Sequence, residues 1–486
     1  MPNLSHAVPL LATWLPILGI SLLLSACATG VPPRSADVAL PSVYDSALAT
    51  APVARLDQWW TLYKDTQLTT LTSRALTQGF SVREALARLQ ESRALRSVSL
   101  AKFGLQGDIQ GNAEYRETLN LEDSPDLDSG VNRSTTAKTA NLSLPVSWEL
   151  DLVGRRGATQ RGADADTETA RFEVEAARAA IAAEVARSLF QARGLHVQHD
   201  EARETLRIQQ QLLTVVTEQA RRGLTPAGQV DRAATDVAQA EAQAENFKAA
   251  LLAARRALLT VVGDGANPLA TLEITPTLGE VPTIPATLPG DLLTRRPDVR
   301  KATAQIERAA SQVRLAELAF FPRLTLNPGA GLSFQSSALD TSSLFWSLGA
   351  GLTMPILDRP RLKAQLAIEG ARAEQALLAY ERSVQAAFSE ADQSLVRLLA
   401  DQRRVSTLAG GEAHAHTAYS AAQRRYELGF ADLQELLDAE RSWRTARSAL
   451  TGAKVDALQR SVQVFQALGG GWNSAQTHPF SKGNTL

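Results

Sequence analysis

The 486-residue chain sets 50 Lys and Arg against 51 Asp and Glu, a net charge of −1, with aromatic residues at 5% and a single cysteine, Cys27. That balance excludes the strongly basic surface a nucleic-acid binder needs, and one cysteine excludes an internal disulfide. Long stretches rich in Ala, Leu, Gln and Arg predict long helices packed through small residues.

The first element is an apolar run over residues 8–24, of secretory-signal length and short for a membrane span. Leu24, Ser25 and Ala26 precede Cys27 in the bacterial lipoprotein cleavage pattern. Residues 1–26 are therefore expected to be a signal peptide, and Cys27 the lipid-bearing N-terminus, since several acyl chains anchor firmly where one does not. One feature departs from the pattern: no Lys or Arg precedes the run, only His6 and the α-amine. A cysteine buried in a hydrophobic helix is the plainer alternative, disfavoured by the proline-bearing tail that follows (Pro32, Pro33, Pro41, Pro52). By analogy with known lipoproteins, Ala28 in place of Asp favours sorting to the outer membrane of a Gram-negative cell. Residues 27–56 read as a lipid-anchored linker.

Four stretches then alternate with period two, the mark of a strand with two unlike faces. Residues 140–152 place Leu142, Leu144, Val146, Trp148, Leu150 and Leu152 on one face, against Asn141, Ser143, Pro145, Ser147, Glu149 and Asp151. Residues 344–356 place Leu344, Trp346, Leu348, Leu352, Met354 and Ile356 on one face, against mostly Ser, Gly and Thr. Weaker versions cover 109–116 and 324–334. The four pair naturally as two hairpins, and their length and alternation suit transmembrane β-strands. A soluble sandwich is the alternative, but the chain between the hairpins reads as helix and offers no second sheet.

After each hairpin comes a long proline-free region. Val174, Ala177, Ile181, Val185, Leu189, Ala192 and Leu195 mark one helical face in the first. Residues 361–427 in the second, as one helix or a stacked pair, would span on the order of 100 Å. Leu436, Ala439, Trp443, Ala446, Leu450, Ala453 and Ala457 form a coiled-coil seam. The halves match at an offset of roughly 205 residues, the sign of a tandem duplication. "ARRGLTPAGQVDRA" (220–233) answers "RRYELGFADLQELLDA" (424–439), and "ELDLVGRR" (149–156) answers "MPILDRPR" (354–361). The expected plan is a first repeat over 57–263 (hairpin about 107–152), a proline-rich link over 264–290, a second repeat over 291–468 (hairpin about 323–357) and a tail over 469–486. Four strands cannot close a membrane barrel, and open edges in lipid are costly. Copies of the chain would have to share one barrel under cyclic symmetry.

No phosphate loop, Gly-x-Ser-x-Gly elbow or His-Glu-x-x-His motif is present, so no enzyme is expected. His196 with His199 and His414 with His416 have metal-ligand spacing but no nearby third ligand, and read as solvated surface histidines. Two methionines, Met1 included, supply no thioether path for soft metal ions. No cofactor is expected beyond covalent lipid on Cys27.

The motifs "QWWTLYKDTQL" (58–68), "LSLPVSWELDLVGR" (142–155), "DLLTRRPDVRKA" (291–302), "AFFPRLTL" (319–326), "PILDRPRLKA" (355–364), "RRYELG" (424–429), "LLDAERS" (436–442) and "ALGGGW" (467–472) together resemble the TolC-like outer-membrane efflux proteins, in their NodT-type lipoprotein branch. The resemblance implies a mixed α and β membrane protein. In it, a homotrimer contributes four strands per chain to a 12-stranded outer-membrane β-barrel, continued by a long periplasmic α-helical barrel. It implies a periplasmic adaptor and an inner-membrane transporter of the resistance-nodulation-division type as partners, with no nucleic acid. The family's gate carboxylates map onto Glu435 and Asp438, which share a helix face; three copies around an opening would raise one another's pKa and attract cations. A hydrophobic gate residue maps onto Gln434. A latch tyrosine maps onto Tyr426 and its acidic partner onto Gln229, with Asp231 two residues on; Gln434 and Gln229 depart from the family pattern. The implied function is a passive exit duct for small molecules. The exit duct of a type I protein-secretion system and a poreless envelope lipoprotein with a coiled-coil stalk are the alternatives.

Overall fold

The structure is a computed structural model that describes residues 38, 40–44, 56–119, 134–285, 289–336 and 340–471. Cys27, the signal segment, most of the first hairpin loop and Trp472 lie outside these. The described elements are α1 (Thr66–Gln78), α2 (Phe80–Ala101), β1 (Gln110–Leu119), β2 (Ser134–Leu150), α3 (Arg155–Arg221), α4 (Ala227–Val262), α5 (Pro297–Leu318), β3 (Arg323–Ser336), β4 (Thr341–Thr353), α6 (Arg359–Glu427) and α7 (Leu433–Ala467). The architecture is mixed α and β and mostly helical.

The strands form one antiparallel meander, β1–β2–β3–β4. Its register puts like with like. Leu142 faces Leu332, which faces Leu344, and Ala330 lies between Leu144 and Trp346. One row over, Asn141 faces Ser333, which faces Ser343. One face of the sheet is therefore apolar across β2, β3 and β4, and the other is mostly Asn, Ser, Thr and Gly. The apolar face lies bare: Leu344, Trp346, Leu348 and Leu352 are 69–81% exposed. Gly331 makes room on the polar face for the Phe345 ring, which a Cβ there would meet at 2.6 Å. A two-residue strand, Gln106–Gly107, also pairs with β2 and is separated from β1 opposite Pro145. Proline has no N–H to give the ladder, which explains the break.

Two strand ends differ from the sequence expectation. Leu152, Met354 and Ile356 lie beyond the strands, in exposed connections to the helices. The cause after β2 is local. Asp151 turns out of the strand and accepts backbone N–H bonds from Gly154 and Arg155 (2.8 Å each) and Arg156 (2.9 Å). A carboxylate capping free amides at a helix start is favourable. Arg155, the first residue of α3, donates to the Leu318 and Phe321 carbonyls, both at 2.8 Å, fastening the helix root to the end of α5.

α3 has 67 residues and α6 has 69, each one unbroken helix. Each runs about 100 Å at 1.5 Å per residue and carries the chain from the sheet to a distant turn. The return helices α4 and α7 pack against α3 and α6 respectively, and α7 also packs against α3. The predicted face of α3 is largely interior, with Val174, Ile181, Val185, Leu189 and Ala192 buried. Its partners include Trp59, stacked on Phe465 at 5.3 Å between ring centres, and Tyr63 against Phe190 at 5.2 Å. Asp65 ties this core together by capping α1 through Leu68 N (3.0 Å) and pairing with Arg193. Burial pushes its carboxyl up, but Arg193 and the backbone N–H groups of Leu68 and Gln67 more than offset this and hold it below the usual range. Arg296, in the "RRPDVR" motif, bonds the last carbonyl of α7, Ala467 O (2.9 Å), and Glu390 of α6 (2.8 Å).

Candidate functional site

The candidate site lies where the long helices turn, at residues 219–232 and 424–440. Both turns close in the same way. Gly223 N bonds Ala220 O (2.9 Å) and Leu224 N bonds Gln219 O (2.9 Å); Gly429 N bonds Tyr426 O (3.0 Å) and Phe430 N bonds Arg425 O (2.8 Å). This is the Schellman closure, whose pivot has positive φ. The φ values are 73° at Gly223 and 77° at Gly429, which favours glycine. The residue after each glycine is apolar and bare: Leu224 and Phe430 are each 73% exposed, and Leu428 is 70%.

The second turn carries the predicted gate residues. Asp432 caps α7 by accepting from Glu435 N at 2.8 Å. The Glu435 carboxylate does not return to the cap. It pairs with Arg425, whose guanidinium also reaches Phe430 O at 3.2 Å. Asp438 is exposed and has no hydrogen-bond or ion-pair partner among the described residues. Within one chain the two gate carboxylates therefore differ: Glu435 is neutralised by its own turn and Asp438 is free. Gln434 accepts from Arg232 Nη1 of the first turn at 3.3 Å, a side-chain link between the two hairpin tips.

The predicted latch residues are near one another in the fold but are not bonded. Tyr426 packs beside the cluster of Leu212, Val216, Ala422 and Leu436, and its buried hydroxyl has no hydrogen-bond partner. Gln229 instead accepts from Thr225 Oγ1 at 3.3 Å, and the Asp231 side chain is exposed. Beside the first turn, Arg221 and Arg222 hold the Glu218 carboxyl below its usual range.

Sequence reasoning missed Arg425, Arg232 and Asp432. The pattern Asp432-Leu-Gln-Glu435 is a helix-start signature and was legible; the pairing of Arg425 across the turn was not. It also misread the two histidines of α3, of which His199 has a side chain only 16% exposed. His196 is part-buried and its Nδ1 lies 2.7 Å from Ile274 O, so it is a tie to the link segment rather than a solvated surface group. His416 packs against Trp443 with the rings tilted by 58° and their centres 5.0 Å apart.

The family model for outer membrane efflux proteins matches residues 71–264 and 288–470, so the chain belongs to that family. The chain is 28% identical over 460 residues to the pyoverdine export outer membrane protein OpmQ of Pseudomonas putida, covering 94% of this chain and 97% of that protein. It is 27% identical over 420 residues to the cation efflux system protein CusC of Escherichia coli, covering 85% and 88%. Among solved structures, the outer-membrane channel OprN superposes with a TM-score of 0.78 at 25% identity, over 91% of this chain and 99% of that one.

Proposed function

We propose that the chain is the outer-membrane component of a tripartite efflux pump, a passive exit duct fed through a periplasmic adaptor by an inner-membrane transporter of the resistance-nodulation-division type. The observation that carries this reading is the four-stranded sheet. Its apolar face is bare and continuous, and its outer edges, on β1 and β4, have no pairing partner within the described residues. A face of that kind suits lipid, and open edges in lipid require further strands. Three copies supply a 12-stranded barrel with the Asn, Ser and Thr face lining water. The long helices then extend into the periplasm, and lipid on Cys27 anchors the chain to the outer membrane. A poreless stalk has no use for such a sheet.

At the far end, Leu224, Leu428 and Phe430 offer bare apolar contacts for the adaptor, and three copies of Asp438 give the opening its charge. Because Arg425 neutralises Glu435, Asp438 is the dominant gate carboxylate and Glu435 a brace. The relatives are named for pyoverdine export and for cation efflux, at nearly equal identity; cargo selection is accordingly assigned to the transporter and not to this chain.

The test is single-channel conductance of the protein purified from outer membranes, together with the stoichiometry of its cross-linked form. A trimer with a small cation-preferring conductance supports the reading, and Asp438→Ala is expected to weaken the cation preference more than Glu435→Ala. Folded, inserted protein that carries no current overturns it.

A further inference from the structure

The seam between α3 and α7 joins the two helical hairpins, and one polar pair sits inside it. Gln209 of α3 is 3% exposed and Glu440 of α7 is 3% exposed. Gln209 Nε2 donates to Glu440 Oε2 at 3.3 Å, while Gln209 Oε1 is buried with no donor among the described residues. A buried acceptor left without a partner is costly. The group facing it has two oxygens and, when ionised, no proton to give.

We infer that Gln209 and Glu440 form a proton-operated clasp, closed when Glu440 is a neutral acid and loosened when it is ionised. On protonation, a proton from solvent bonds to one Glu440 oxygen and is donated to Gln209 Oε1. The Gln209 amide donates to the other oxygen. The two side chains then form a reciprocal acid–amide pair that leaves neither atom of the amide unmet. On ionisation the proton returns to solvent, and only the 3.3 Å bond remains.

The position of the pair makes it a partition. A cavity of about 480 Å³ lies among α3, α4 and α7, and another of about 380 Å³ lies among α3, α6 and α7. Gln209, Leu437 and Glu440 line both. Loosening the clasp gives each side chain a wet cavity to turn into.

The charges around Glu440 come from every neighbouring helix. Its own helix supplies Arg441, Arg444 and Arg447, with Arg444 Nε 3.9 Å away; α4 supplies Asp236; α3 supplies Glu201, Glu204 and Arg207; α6 supplies the Tyr419 phenol and Glu427. Burial is the largest influence and pushes the Glu440 carboxyl up; Arg444 and Arg441 oppose it, and Asp236 adds to it. A carboxyl raised by folding stabilises the packed seam at acid pH and loses that contribution as pH rises through its raised pKa. Glu201, about two turns along α3 from Gln209, already accepts from Thr451 Oγ1 at 2.9 Å and lacks the unmet amide.

The clasp is tested by amide hydrogen exchange in the full-length protein in lipid, over residues 205–212 and 436–444, corrected for the intrinsic pH dependence of exchange. In the wild type, protection at about pH 5 is expected to exceed that at about pH 8, by up to about tenfold for each unit by which the folded pKa exceeds the unfolded one. Glu440→Gln keeps a neutral amide in place of the acid and is expected to be protected at both pH values. Gln209→Met keeps bulk but removes both hydrogen-bonding atoms and is expected to be poorly protected at both. In a wild-type minus Glu440→Gln difference spectrum, the carboxylic-acid C=O infrared band should disappear in step with the loss of protection. A wild-type pH step that survives in Glu440→Gln, or protection in Gln209→Met equal to that of the wild type at acid pH, overturns the clasp. Exchange is read without conductance, so this inference and the exit-duct reading fail separately.

Discussion

The two hairpin tips are copies that have kept one device and diverged in another. Each closes its long helix with a glycine in the left-handed region and an apolar residue after it. Only the second is braced. Arg425 pairs with Glu435 and Asp432 caps α7, whereas the equivalent positions of the first tip hold Gln219, Gln229 and Pro226. The closure is a backbone requirement that favours glycine in both copies. The brace is a side-chain option, and one copy does without it. One side-chain bond, Arg232 to Gln434, links the unbraced first tip to the braced second.

The comparison breaks most readily at the glycines. Gly223→Val and Gly429→Val are each expected to destabilise their turn by about 1–2 kcal/mol, the cost of a side chain in the left-handed region. Limited proteolysis at residues 219–232 and 424–432 should find the two equally damaged, since the closure is shared. Unequal damage would mean that the two turns are not equivalent. Asp432→Ala removes the cap of α7 and should cost about 1 kcal/mol at the second tip alone, read as faster amide exchange at residues 433–436. Smaller still is Glu435→Gln. An exposed ion pair contributes about 0.2–1 kcal/mol, and raising salt should erase the difference between wild type and variant. The smallest effect sharpens the comparison by moving the brace. Gln219→Arg with Gln229→Glu should slow cleavage of the first tip by an amount within about 0.5 kcal/mol, and a gain in either single variant would show that the pair is not its source.

Legibility in the sequence followed the reach of each force. Period-two alternation named the strands because the two faces of a sheet meet different solvents, and Leu142, Leu332 and Leu344 fall on one row. Proline-free length and the seam of α7 named the long helices, whereas Tyr426, Glu435 and Asp438 came from the family resemblance, and they share one turn because they are close in sequence. What stayed hidden depends on contacts the local pattern does not encode. Gln209 meets Glu440 across two helices from different repeats, and Arg232 meets Gln434 in the same way. Arg425 is near Glu435 in sequence, but its direction is set by the glycine turn. Strand ends were misjudged where an apolar alternation ran past the last ladder bond, at Leu152 and Met354–Ile356.

The most direct test of the account is a single-cysteine scan along β4, Thr341–Thr353, in the intact protein in lipid bilayers. Each labelled position is exposed in turn to a lipid-soluble and a water-soluble quencher. The account predicts strict alternation: labels at 344, 346, 348 and 352 are quenched from lipid, and labels at 345, 347, 349 and 351 are quenched from water. Equal access of the water-soluble quencher to both sets would mean that the apolar face never meets a membrane, and would contradict the account.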